Sequence, residues 1–442
     1  MSTPRDTEVQ PENQPATAAD ATATDNDTVS ESQIELASGS LGDYLSTWGK
    51  RIRAGESGVL PVLVGLVIII VIFQTQQSVF LSPGNLVNLL VQAAVYVLLG
   101  MAEVYVLLLG EIDLSVGFVG AIGGALTVIL TSTPRNLPWW VGILAGLAAA
   151  AVIGAFQGWL ITRLRLPSFV VTLAGLLGWQ GVLLVLINKA GGSSGGTIAI
   201  SNSVILGIVN SNMAPIAGWI VLAACVVVFA LVTVLGDRSR RRSGLATPPF
   251  SLAVAKIVLF AVAGVILVVV CNTNRGVGVI ALSGVPYVVP VVLAVLLAWT
   301  VLLSRTRFGR YVYAIGGNAE AARRAGINVS RIRLACFVLC SLTGGMAGIV
   351  YASRLGSMSN NVNGGQLVLF AVAAAVIGGT SLFGGRGKML HALLGGMIIA
   401  TIANGMGLIG LDAATQYIVT ALVLLAAVIV DAVARRGQSV TA

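Results

Sequence analysis

Residues 304–333 read SRTRFGRYVYAIGGNAEAARRAGINVSRIR. They form the one long charged segment lying between strongly apolar ones. Seven arginines (Arg305, Arg307, Arg310, Arg323, Arg324, Arg331 and Arg333) stand against a single acid, Glu320. Beside membrane spans such a block stays on the cytoplasmic side, because moving clustered arginine across a bilayer is costly and the positive-inside bias sets orientation. Within it, residues 318–325 are helix formers, with Gly316-Gly317 and Gly326 as breaks on either side. A short surface helix in that position has two readings: a basic loop that only sets topology, or a platform on which a partner docks.

Outward from this segment the chain is apolar. Of its 442 residues 56% are hydrophobic and only 10% charged, with a mean hydropathy of +0.93; soluble domains carry about a quarter charged residues. The class that follows is an all-α polytopic membrane protein. Its 53 glycines suit closely packed spans, since small residues let helix backbones approach in lipid. The net charge of +9 hides two populations. Residues 1–45 hold Asp6, Glu8, Glu12, Asp20, Asp25, Asp27, Glu31 and Glu35 in a Thr/Ala-rich leader with few large apolar side chains. That leader is expected to be disordered, because it buries too little surface to offset its ordering entropy. Residues 46–436, followed by a short tail at 437–442, make a basic membrane domain. Its bases sit at span ends, so topology accounts for them and nucleic-acid binding is not required. Cys225, Cys271, Cys336 and Cys340 lie in or beside apolar runs without nearby His or acidic ligands. They read as small core residues, and no metal is expected. His391 opens an apolar run and reads as structural.

The first apolar run begins near Val59, too late for a cleavable signal peptide and preceded by Lys50, Arg51 and Arg53. Taking about 20 apolar residues per span, spans are expected near 59–73, 86–109, 114–131, 139–161, 168–188, 216–235, 250–271, 285–303, 334–353, 367–383, 390–411 and 414–434. Some are short or interrupted by glycine, so the expected count is 10–12. With both termini inside, 21 Lys and Arg fall on the cytoplasmic side, and only Arg135, Lys189, Arg275 and Arg354 fall outside, as the positive-inside rule requires. Trp139, Trp140 and Trp219 stand at external interfaces, and 189–215 is a polar, Gly/Ser-rich external segment. Stripes of small residues recur at helical spacing: Gly146, Ala150, Gly154 and Gly158; Gly120 and Gly124; Gly396, Ala400, Asn404 and Gly407. Packing explains them. Asn404 alone asks for more, because an amide at membrane depth needs a partner or water.

Residues 110–117, GEIDLSVG, are the sharpest short motif. Glu111 and Asp113 lie between spans with almost no polar padding, where ionised groups face a cavity, a partner or a pathway. The alternative is an interfacial turn in which the Asp113 carboxylate caps the next helix. Thr172, Gly175 and Trp179 share a helix face, with Gln180 beside it. An indole next to an amide suits a sugar path, because aromatic faces stack on sugar C–H faces and amides bond hydroxyls; the alternative is a core tryptophan. Residues 378–388, GGTSLFGGRGK, fail as a phosphate-binding loop. Leu382 stands where the first glycine is needed, and Met389 follows Lys388 in place of Ser or Thr.

Two resemblances follow from these residues. Glu320-Ala321-Ala322 followed by Gly326 is similar to the coupling segment of ABC importer permeases, although Ile332 and Leu334 fall early and no proline follows. Residues 308–329 and the 110–117 octet resemble the ribose/xylose/galactose-type sugar permeases. Glu111 matches the xylose branch, where the commoner form has Gly or His. Supporting stretches are 168–173, 378–382 with Gly384-Gly385, 404–406 and 416–419, so the resemblance covers residues 81–436. It departs at Glu103, where the family has a small or neutral residue. The resemblance implies an ABC importer permease fold of type II-like form in a bacterial plasma (inner) membrane, with both termini cytoplasmic. It also implies a homodimer in membrane lipid, a cytoplasmic ABC ATPase subunit and an extracytoplasmic sugar-binding protein. The ATPase would seat on Glu320, Ala321, Ala322, Arg323 and Gly326. The path would draw on Glu111, Asp113, Ser115, Thr172, Trp179, Gln180 and Asn404. No cofactor, catalytic residue or nucleic-acid partner is implied. The rival reading is an ion-coupled sugar transporter using Glu103, Glu111 and Asp113 for the driving ion. A membrane enzyme or receptor is a third class, against which stands the lack of any metal spacing or nucleophile–base pair.

Overall fold

The computed structural model describes residues 60–191, 196–244, 249–276 and 281–438. The acidic leader, the bases at 50–53 and residues 439–442 lie outside them. Among the described residues fifteen helices follow one another. The twelve expected spans correspond to α1 (Leu60–Gln76), α2 (Pro83–Leu107), α3 (Val116–Thr131), α4 (Trp139–Arg163), α5 (Ser168–Gly191), α7 (Pro215–Arg242), α8 (Phe250–Asn272), α9 (Val288–Arg305), α12 (Val329–Leu355), α13 (Gly364–Ile377), α14 (Met389–Leu408) and α15 (Ala413–Gln438). Eight of these are long and apolar enough to cross a membrane; α1, α3, α13 and Ala413–Val423 of α15 are shorter apolar helices. The remaining three helices are α6 (Ser203–Asn210), α10 (Arg307–Gly317) and α11 (Ala319–Arg324).

Of the described residues, 224–263 form one compact unit, parts of α7 and α8 in which Phe229 and Phe260 stack with centroids 4.8 Å apart. The other described residues form the second unit, which holds the candidate site. At its centre lies α2. Ser82 caps it, accepting from the Asn85 amide at 3.4 Å, and Pro83 supplies a first turn that needs no amide partner. From 93 to 107 every residue of α2 except Tyr96 is buried. A helix apolar on all sides belongs inside a bundle, and α12, α13 and α14 pack around this one.

The small-residue stripes are packing faces. Where α3 crosses α12, the Gly120 carbonyl occupies the space that a Cβ on Gly348 would need. No larger residue permits that approach. The third stripe is divided: Gly396 packs against Val97, but Gly407 has open space around it.

Three features differ from the sequence expectation. The 189–215 segment and the end of α12 contribute a two-stranded antiparallel ribbon, β1 (Thr197–Ala199) with β2 (Ser357–Ser359), in an otherwise α-helical chain. Its register pairs Ile198 with Met358, and both are buried; the left-handed Gly356 (φ 67°) ends α12 and releases the chain into β2. Secondly, the front of the arginine block is itself a helix, α10. Its Gly309, Val312 and Ile315 are buried while Arg307, Arg310 and Tyr311 are exposed. Thirdly, the expected span at 367–383 stops at Ile377, because Gly378-Gly379 (φ 109° at Gly379) break it and 378–388 turn back.

Contacts sort the loops of this unit onto two ends. At one, Ser132 Oγ donates to the Ala199 carbonyl at 3.1 Å and Asn210 Nδ2 to the Ser353 carbonyl at 2.6 Å. The loops carrying Leu108, Gly316 and Gly385 meet at the other.

Candidate functional site

Two side-chain caps fold the arginine block into an elbow. Thr306 Oγ1 accepts from the Gly309 amide at 3.3 Å, starting α10, and Asn318 Oδ1 accepts from the Ala321 amide at 2.9 Å, starting α11. Gly326 then takes φ 82°, a conformation open to glycine at little cost, and Asn328 caps α12 through the Arg331 amide at 3.0 Å. On α11 the side chain of Ala322 is buried against the core, whereas Glu320, Ala321, Arg323 and Gly326 are exposed. Glu320 pairs along its own helix with Arg323 at 2.5 Å and Arg324 at 3.5 Å. At such exposure these pairs contribute little stability. They leave the outer face of the elbow charged.

The elbow rests on two other loops. Gly316, in the last turn of α10, lies so close to the Leu108 carbonyl and the Gly385 amide that no Cβ fits between them. The Gly385 amide donates to that same Leu108 carbonyl at 2.9 Å, and the Tyr313 hydroxyl donates to the Gly387 carbonyl at 2.7 Å. Residues 378–388 therefore work as a wedge, closed on itself by the Ser381 amide donating to the Arg386 carbonyl at 2.8 Å.

From Leu108 the chain runs through both motif carboxylates. Glu111 Oε1 lies 2.5 Å from Arg333 Nε in the second turn of α12, and the Glu111 side chain is 10% exposed. Its other oxygen is buried without a hydrogen-bond partner among the described residues. Burial pushes this carboxyl up to about 7, against the opposing pull of Arg333. Asp113 is fully buried. Its Oδ1 accepts from the Ser115 amide at 2.9 Å and the Ser115 hydroxyl at 2.6 Å, and its Oδ2 accepts from Cys340 Sγ at 3.7 Å. Burial raises the Asp113 carboxyl, and these donors partly offset the rise. Gln157 of α4 completes the network, donating from Nε2 to Ser115 Oγ at 2.8 Å. Glu103, fully buried on α2, lies within electrostatic reach of Asp113 and beside its backbone amide.

On the far side of Gln157 lies a groove of about 440 Å³ between α4 and α5. Phe156 and Trp179 meet edge to face in its wall, with centroids 6.4 Å apart. Gly175 leaves room for the Gln157 amide beside the Trp179 indole, whose N–H has no partner among the described residues. The wall is otherwise aliphatic.

Residues 85–428, threading the elbow, the wedge and the buried network, match the model of the family described as branched-chain amino acid transport system / permease component. The chain belongs to that family. Over 378 residues the permease is 35% identical to the xylose transport system permease protein XylH of Escherichia coli strain K12, an alignment covering 85% of this chain and 92% of that one. It is 35% identical to the corresponding Haemophilus influenzae protein (86% and 98% covered) and 32% identical to the ribose import permease protein RbsC of Bacillus subtilis (88% and 98% covered). No solved structure matches the chain. The permease is thus the membrane-spanning component of an ABC importer, whose ATPase and substrate-binding protein are separate partners. The ion-coupled reading has no support among these relatives.

The structure brings some expected site residues together and separates others. Asp113, Ser115 and Thr172 gather around one core, Thr172 Oγ1 donating to the Ile112 carbonyl at 3.3 Å. Glu111 sits beside them at the elbow end. Asp113 accepts from the amide of Ser115, the residue before the first turn of α3, so its bond closes a buried loop and does not cap that helix. Gln180 is exposed and takes no part in the groove; the amide beside Trp179 is Gln157, from another helix. Asn404 lies at the opposite end, exchanging amide hydrogen bonds with Asn85 at 2.9 and 3.0 Å. Gln157, Cys340 and Arg333 escaped the sequence reading. Each acts through a neighbour distant in the chain, and only the regular glycine stripe on α4 hinted that Gln157 faces inward.

Proposed function

We propose that the permease carries a pentose, D-xylose foremost, into a bacterial cell as a homodimer with both termini cytoplasmic, driven by an ATPase that seats on α11. One observation carries the reading. The elbow presents Glu320, Ala321, Arg323 and Gly326 outward, while Ala322 is buried in the core and Gly316 fastens it directly to the loop that leads into the buried Asp113 network. A docking helix of this kind turns a push from outside the membrane into movement at its core. The pentose is supported by the names of the relatives, which transport xylose and ribose. The route runs along the α4–α5 groove, with Trp179 and Phe156 as stacking faces and Gln157 offered to hydroxyls. Asp113, Ser115 and Thr172 brace its wall from behind, and Glu111 stands beyond them at the elbow end, off the sugar's route. Asn404 and Gln180 have no place on this route. Alternating access then needs only that one end of the corridor close as the other opens.

Proteoliposomes holding the permease, its ATPase and the sugar-binding protein test this. ATP-dependent uptake of labelled xylose, suppressed by a bulky substitution at Gly326, is the expected outcome. Accumulation driven by a proton or sodium gradient without the ATPase, or failure to move any pentose, overturns the reading.

A further inference from the structure

We propose that Glu111 and Arg333 form the charged half of a transmission link that carries movement of the elbow into the α2–α3 loop and so to the Asp113 network. The proposal deepens the reading above and rests on it: α11 must be where the ATPase pushes. Both residues act by position and neither touches the sugar.

Three observations carry it. Of the seven arginines of residues 304–333, Arg333 alone reaches an acid outside the segment, among the described residues. It stands in the second turn of the helix that begins where the elbow ends, so a tilt of α11 about Gly326 passes to it through a single turn of α12. Glu111 stands on the other side of the pair, three residues after Leu108 and two before Asp113. Leu108 is also where the elbow touches the loop through backbone, by way of Gly316 and Gly385. The α2–α3 loop is therefore held twice, once by a contact between main chains and once by charge. Main-chain contact cannot be re-made in a new register without a gap opening, whereas an ion pair can swing.

The geometry of the pair fits swinging better than bracing. A brace is strongest when an arginine grips both carboxylate oxygens. Here Arg333 Nε lies 2.5 Å from Glu111 Oε1 as an ion pair that is not aligned as a hydrogen bond, and both that Nε and the second carboxylate oxygen are buried without a hydrogen-bond partner among the described residues. Buried polar groups are normally satisfied, so an oxygen kept free beside a long, mobile guanidinium is a second landing place for it. With Arg333 31% exposed, the arginine has room to change its grip while Glu111 stays covered.

The experiment is a charge exchange in the reconstituted complex of permease, ATPase and binding protein. Its readout is sugar molecules moved per ATP hydrolysed, normalised to assembled complex. Glu111→Arg and Arg333→Glu are each expected to lower that ratio about tenfold, and the double exchange to restore it to within about threefold of the parent, as coupled residues do. Glu111→Gln with Arg333→Met, which removes both charges at similar volume, keeps the test alive should a single reversal fail to fold; it is expected to assemble with a lowered ratio. Unchanged ratios in the single variants or the neutral pair, or a double exchange no better than the poorer single, overturn the link. Glu320→Arg at the elbow tip tests the underlying reading separately. ATPase association and stimulation unaltered by it mean that α11 is not the docking helix, and the link then falls with that reading. Altered docking together with unmoved charge-exchange ratios removes the link alone.

Discussion

Replacing Asp113 by alanine and by asparagine separates the acceptor it supplies from the charge it carries. In the alanine variant the Ser115 amide, 2.9 Å from Oδ1, loses its acceptor inside fully buried surroundings. An orphaned buried donor costs about 1–3 kcal/mol. The Ser115 hydroxyl fares better, because Gln157 Oε1 lies 3.1 Å away and can accept from it. The Cys340 thiol is a weak donor and adds little. With the small void left by the carboxylate, the alanine variant should lose about 2–4 kcal/mol. Asparagine keeps Oδ1 and both Ser115 bonds, and puts an NH₂ against a sulfur that accepts weakly; its loss should stay under about 1 kcal/mol. The four cysteines are free, and Cys271, Cys336 and Cys340 are buried, so a thiol-reactive fluorophore reports unfolding in detergent as temperature rises. At about 2 °C per kcal/mol for a chain of this size, alanine should lower the midpoint by several degrees and asparagine by little. Equal losses in the two variants would refute the reasoning, since the charge and not the hydrogen-bond acceptor would then organise the loop.

Helix contact offers a paired test: Gly348→Ala drives a methyl into the Gly120 carbonyl and should cost about 1–3 kcal/mol. Gly407→Ala enters open space and should be neutral or slightly stabilising; thermal midpoints that move alike contradict the packing assigned to the two stripes. For Glu111 the sign of the pH effect follows from burial, which lifts the carboxyl from 4.5 to about 7 while Arg333 pulls it down and the Cys336 thiol is the other titratable group beside it. The folded protein thus favours the protonated acid between 4.5 and 7, so its contribution to folding stability falls as pH rises through that window. The charge of the pair goes the opposite way, present above pH 7 and lost below it. Sugar moved per ATP should therefore decline as pH falls from about 8 to about 6, and Glu111→Gln should flatten that profile; a profile of the same slope in both assigns the titration to another group.

How much was legible beforehand differs between the scaffold and the site. The scaffold follows from local rules. A run of apolar residues long enough to cross lipid must satisfy its own backbone, so it becomes a helix wherever it sits, and the twelve runs reappear as twelve helices. Clustered arginine marked the elbow, and Asn318 and Gly326 marked where α11 starts and stops. Beyond local rules the chain gave less warning. The helix α10 looked like loop because charged and aromatic residues stand between its three buried positions, which only a docking surface makes meaningful. The ribbon of Ile198 and Met358 joins residues 160 positions apart, and no periodicity of either strand announces the other.

Sequence alone determined that this chain lives in a membrane, where its apolar helices lie and which segment stays charged, because solvation of backbone and of guanidinium acts on each residue where it stands. Tertiary structure alone decided that Glu111 meets Arg333, that Gln157 and not Gln180 faces Trp179, and that Cys340 serves Asp113. Those partners come from segments distant in the chain, the α2–α3 loop meeting α12 and α4 meeting α5, and their meeting depends on how closely α3, α4 and α12 pack, a distance set by which glycines touch carbonyls and not by any residue's own preference.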